Sequence, residues 1–156
     1  MGETMSDDIV DARRLVVPGV AGLYVCLAPY SYTLVRVALG LVLLPHGINK
    51  LFFGDALNAA KTMAGLGLDP PLAWAYFIGV IEAVGGALLV LGLYTRIAAA
   101  AFVIQMAVID FGVLWPHWWW GQRGMEYVTL MGLCALAIFF RGGGPLSLDR
   151  KLSKEF

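Results

Sequence analysis

The chain has 156 residues, of which 60% are apolar and only 14% charged, with a mean hydropathy of +0.77. A soluble domain carries roughly 45–50% apolar and about 25% charged residues, so this composition cannot clothe a water-soluble globule. It excludes disorder as well, and the balance of 11 basic and 11 acidic residues leaves no excess for gripping nucleic acid. Cys26 and Cys134 form neither a CxxC motif nor a disulfide framework. The chain reads as a membrane protein.

Residues 15–28 are apolar and follow Arg13-Arg14, which resembles the opening of a signal peptide. Pro18, Gly19 and Gly22 interrupt that stretch, and Pro29 follows the would-be cleavage site. The segment is too short to span a bilayer, so residues 1–29 are expected to be retained and to hold a short interfacial helix. Residues 31–53, 71–94, 97–115 and 124–140 then read as four spans of 17 to 24 residues, suited to a hydrocarbon core of about 30 Å. They are continuously apolar, whereas the strands of a barrel would alternate over about ten residues. The expected fold is all-α: a four-transmembrane-helix bundle over residues 30–141, followed by a tail over 142–156.

Basic residues set the expected orientation. With four spans, Arg13, Arg14, Arg96, Arg141, Arg150, Lys151 and Lys154 share one side, against Lys50, Lys61 and Arg123 on the other. The positive-inside rule places both termini in the cytoplasm of a bacterial inner membrane. Trp115, Trp118, Trp119 and Trp120 then form an outer interfacial belt.

Only Arg36, Lys50, Glu82, Asp110 and Glu126 bring charge into the four spans. A charge near the bilayer centre costs roughly 2.5–3.5 kcal/mol, so such groups face the bundle interior and one another. At about 100° per residue, Arg36, Leu39, Leu43, His46 and Lys50 fall within a stripe about 80° wide on the first span. Pro45 leaves the Leu41 carbonyl without its helical donor, which favours a kink. On the second span Gly79, Glu82 and Gly86 share a face, where small residues let a neighbouring helix approach and shield the carboxylate. Asp110 and Gln105 do not share a face of the third span, and Asp110 is the one assigned to the site.

Much chemistry is absent from this pattern. Two lone cysteines cannot hold an iron–sulfur cluster, and a haem held by His46 and His117 has no motif behind it. No phosphate-binding loop, dinucleotide fingerprint or hydrolase elbow occurs. A quinone needs only an apolar slot, donors for its carbonyls and a group that exchanges protons. His46, Glu82 and Lys50 are therefore the candidate catalytic residues, with Arg36, Asp110 and Glu126 as candidate substrate-binding residues. No intrinsic cofactor is expected.

Several short runs carry a family resemblance. Arg36 followed by Leu44-Pro45-His46-Gly47 and Asn49-Lys50-Leu51 resembles the first span of the DoxX family. So does Gly79-Val80-Ile81-Glu82-Ala83-Val84-Gly85-Gly86, continuing to Leu91-Gly92-Leu93-Tyr94-Thr95-Arg96. Gly124-Met125-Glu126 and Gly142-Gly143-Gly144-Pro145-Leu146-Ser147-Leu148-Asp149 complete the order. The resemblance implies a four-helix membrane bundle, and a place beside thiosulfate:quinone oxidoreductase subunits and accessory proteins of thiol and quinone stress. It puts the family's polar positions on Arg36, His46, Lys50, Glu82, Arg96, Glu126 and Asp149.

Two functions follow as expectations. The first is a quinone- or sulfur-linked membrane redox subunit of the thiosulfate:quinone type, working with membrane or soluble redox partners. In that reading quinone or a small redox substrate binds in the outer half of the bundle. The second is a non-catalytic structural or accessory subunit of a larger complex, in which the buried polar groups are packing partners.

Overall fold

The computed structural model describes residue 11 and residues 15–152. Among them there is no strand. Six helices follow in order: α1 (Ala21–Phe52), α2 (Ala56–Gly65), α3 (Pro71–Leu91), α4 (Thr95–Ile109), α5 (Glu126–Arg141) and the short α6 (Leu148–Lys151). Three helical stretches are long and apolar enough to cross a membrane: Pro18–Phe52, Pro71–Leu91 and Thr95–Leu114. The segment expected as a fourth span folds as α5, a helix of 16 residues that is shorter than those three stretches and is not among them.

The expected break between an interfacial helix and the first span is absent. α1 runs unbroken for 32 residues, with Pro29 and Pro45 inside it. A proline fixes φ at a helical value and removes one backbone donor, which leaves the rest of the ladder in place. At a rise of about 1.5 Å per residue the helix is ~48 Å long, so it outreaches a hydrocarbon core of about 30 Å. The basic pair Arg13-Arg14 and Lys154, which enter the orientation argument, lie outside the described residues.

α1 lies along α3, α3 along α4, α4 along α5, and α5 returns to α1, while α2 packs across α3. Glycine makes the first contact close. An added methyl at Gly47 would sit 2.6 Å from the Gly79 carbonyl oxygen, and one at Gly86 2.8 Å from the Leu44 nitrogen. Backbone therefore meets backbone across α1 and α3, the mode by which helices associate in lipid, where tails compete for every apolar side chain. The core is completed by Leu39, Leu43, Leu89, Ala98, Ala99, Phe102, Met106, Ala135 and Ile138.

One end of the bundle is tied by polar groups. α3 stops at Gly92, which has φ +67°, and the Leu93 N–H donates back to the Leu88 carbonyl at 3.0 Å, a Schellman closure. Arg36, 1% exposed, donates through Nη1 to the carbonyls of Leu89 and Val90 and through Nη2 to that of Leu146 at 2.6 Å. Asp149 accepts from the Tyr94 and Thr95 N–H groups at 2.7 and 3.0 Å, capping the start of α4 from outside the helix. The Tyr32 hydroxyl donates to the Gly142 carbonyl, and the Arg141 guanidinium lies 4.5 Å from the Tyr32 ring centroid. The segment after α5 is thus a strap across the α3–α4 hairpin, with Arg36 as its pin.

A methyl on Gly92 would come 2.5 Å from Arg36 Nη1 and 2.6 Å from Ser147 Cβ, at a backbone angle that favours glycine. Gly92→Ala is therefore expected to cost about 1–3 kcal/mol. The check is a lowered unfolding temperature together with faster protease cleavage of the tail; an unchanged tail would show that Arg36 does not pin it.

Candidate functional site

Three helices converge on one carboxylate. Glu82, 5% exposed at mid-length of α3, accepts from Lys50 Nζ at 2.6 Å on Oε2 and from Gln105 Nε2 at 2.7 Å on Oε1. Lys50 comes from the last turn of α1 and Gln105 from α4. The glycine contact sets this up: Gly47 and Gly79 bring the two backbones together about one turn away, and the Lys50 side chain crosses α3 above Gly79. A carboxylate only accepts, so it fixes the amide of Gln105 with its NH2 group inward. The Gln105 Oε1 is buried and has no hydrogen-bond partner among the described residues.

These groups stand at the wall of a pocket of about 790 Å³. α3 lines it with Trp74, Phe77, Ile78 and Ile81, and α4 with Ala101, Ile104, Val108 and Ile109. α2 supplies Asn58, Ala59, Thr62 and Met63, with Asp55 just ahead of it. The volume suits a small organic molecule, and an apolar chamber with a few convergent polar groups is the usual form of a ligand site. Chemically, Lys50 keeps two N–H donors beyond the one given to Glu82, and Glu82 is a group that can hold or release a proton.

The sequence profile of the DoxX family matches residues 31–115 of this chain. The chain belongs to the DoxX family. It is 34% identical over 138 residues to an uncharacterized membrane protein of Mycobacterium tuberculosis, covering 81% of this chain and 84% of that one. A Bacillus subtilis protein named "Putative oxidoreductase CatD" is 31% identical over 118 residues, covering 74% of this chain and 82% of its own. An Escherichia coli protein named as an inner membrane protein is 27% identical over 132 residues, covering 79% of this chain and 91% of its own. No solved structure matches.

The DoxX match covers Lys50, Glu82 and Gln105 together, and the other candidate residues stand apart from them. His46 is exposed, and its Nδ1 lies 2.8 Å from the Val42 carbonyl one turn back, so the ring lies along its own helix. That carbonyl only accepts, which puts the proton on Nδ1. Arg36 is the pin of the strap, far along α1 from Lys50. Asp110 begins a π-helical turn, Asp110–Leu114, and accepts from the Thr129 hydroxyl of α5 at 2.8 Å. Glu126 is the first residue of α5 and does not line the pocket.

Two contributors escape the sequence-based site. Gln105 ranks behind Asp110 there, and α2 is not expected as a helix. A signal for α2 does exist: Asp55, Asn58, Ala59, Thr62, Met63 and Leu66 recur at i, i+3, i+4, i+7, i+8 and i+11, and all six line the pocket.

Proposed function

We propose that this DoxX protein binds a quinone, or a ring of similar size and polarity, in the pocket beside Glu82 and acts as a membrane subunit of an oxidoreductase. The observation that carries the reading is the buried Lys50–Glu82–Gln105 cluster on the wall of an otherwise apolar chamber. A carbonyl of the ring would accept from Lys50 or Gln105, and Glu82 would exchange the proton that accompanies reduction. Electrons reach the ring from a partner protein. In this reading α5 is a fourth span, short enough to be completed by its flanking residues. Both termini lie on the cytoplasmic side, where Arg96, Arg141, Arg150 and Lys151 gather.

The test uses the purified protein in lipid nanodiscs, with decylubiquinone as the probe and quenching of tryptophan fluorescence as the readout. Saturable binding is expected. Gln105→Met is expected to weaken it about tenfold, the worth of one hydrogen bond to a polar group in a dry site. His46→Ala is expected to leave it unchanged, because His46 does not line the pocket. Absence of saturable binding by the wild-type protein would remove the proposal in favour of an accessory, non-catalytic subunit.

A further inference from the structure

The pocket's rim differs in character from its inner wall. Among the lining residues, Phe77 is 53% and Ile104 66% exposed, and Trp74, Val108 and Val113 are exposed beside them. All five are apolar. Asn58 of α2 is the exposed polar residue of the lining. Ile104 lies nine residues into α4 and Phe77 six residues into α3, which is ~14 Å and ~9 Å from the respective helix starts. Against a hydrocarbon core of about 30 Å, that part of the rim sits at the depth of the lipid tails.

Charge within the pocket points the same way. Among the described residues Lys50 is the one cation that lines it, set against the carboxylates of Asp55 and Glu82, and Lys50 is already paired with Glu82. An oxyanion entering this chamber would lose its hydration and meet a net negative lining, so desolvation and Coulomb repulsion would both oppose it. A neutral ring meets neither cost, and its apolar body is favoured by the walls.

We infer that the pocket is loaded sideways from the bilayer, between Phe77 of α3 and Ile104 and Val108 of α4, by a neutral ring compound dissolved in the lipid. A water-borne anion such as thiosulfate is not its ligand; if one is oxidised by the assembly, its site lies on a partner. This inference rests on the reading of the pocket as a ligand site.

Stopped-flow fluorescence separates the two. Decylubiquinone is presented in the lipid of nanodiscs holding the wild-type protein, the rim variants Ile104→Phe and Val108→Phe, or Leu57→Phe. A plug in the lateral gap is expected to slow association about tenfold in either α4 variant while the affinity stays within about threefold. Leu57→Phe, on an exposed face of α2 outside the pocket lining, is the control and is expected to bind at the wild-type rate. Two α4 variants are used so that a folding defect in one, visible as a lowered unfolding temperature, leaves the other to decide. Saturable binding with no slowing in either α4 variant would overturn the lateral route, while leaving the pocket as a ligand site. No binding by the wild-type protein would instead defeat the ligand reading itself. Saturable binding of thiosulfate that is lost in Lys50→Met would overturn the exclusion of anions.

Discussion

Glu82→Ala is expected to be among the most destabilising single changes in this bundle, costing about 3–5 kcal/mol. The reason lies with what remains. Lys50 has a side chain only 12% exposed, held 2.6 Å from the Glu82 carboxylate, and removal of that carboxylate leaves an ammonium among apolar helices. Gln105 loses its acceptor in the same step, so two donors are stranded together. Thermal unfolding in nanodiscs checks this, and a shift of under a degree or two would mean that lipid headgroups or water already solvate Lys50.

The companion experiment separates stability from function. Replacing both charges by apolar residues of similar volume, Lys50→Met with Glu82→Leu, removes the unpaired charge that makes the single change costly. Such replacements of a buried pair are often neutral or stabilising by about 1–4 kcal/mol. The double variant is therefore expected to regain most of the wild-type unfolding temperature while losing decylubiquinone binding. Recovered stability with decylubiquinone binding at the wild-type level would make the pair a packing device.

Parts of this arrangement are legible in the residues and parts are not. Gly79, Glu82 and Gly86 announce a close helix–helix face around a buried carboxylate, because a mid-span charge flanked by glycines at helical spacing is shielded only by a helix that comes near. Which partner fills that face is harder to read. The buried stripe of α1 includes Gly40 and Gly47 beside Arg36, Leu39 and Leu43, which turns its centre away from His46. A pattern read from large and polar side chains gives no weight to glycine and so draws the stripe off centre. Gln105 and Asp110 are about 140° apart on a regular helix, and only one can meet Glu82. Rank by charge favours Asp110, whereas packing selects Gln105, since an amide can donate to a carboxylate and an ionised aspartate cannot. Arg36 reads from the sequence as a candidate substrate-binding residue. Its carbonyl partners come from Leu89, Val90 and Leu146, contacts too distant in sequence to be read from periodicity.

The second large effect is expected at a residue that carries no chemistry. In Gly47→Leu the first added atom alone would stand 2.6 Å from the Gly79 carbonyl oxygen and 2.7 Å from Ala83 Cα. Both are backbone atoms of α3, which cannot rotate aside as a side-chain tip does, so α1 and α3 must separate. Overpacking in a dense core typically costs about 1–3 kcal/mol, and a rigid backbone contact belongs at or above the upper end of that range. The displacement falls about one turn from Lys50 and Glu82, so their 2.6 Å contact is stretched and the wall of the pocket shifts with it. Gly47→Leu is expected to lower the unfolding temperature and to abolish decylubiquinone binding. Gly22→Leu is the control, since none of the described residues lies within 4 Å of an added methyl at that position, and it should change neither quantity. Normal stability and binding in Gly47→Leu would mean that α1 and α3 are not in backbone contact, and the placement of Lys50 against Glu82 would then need another cause.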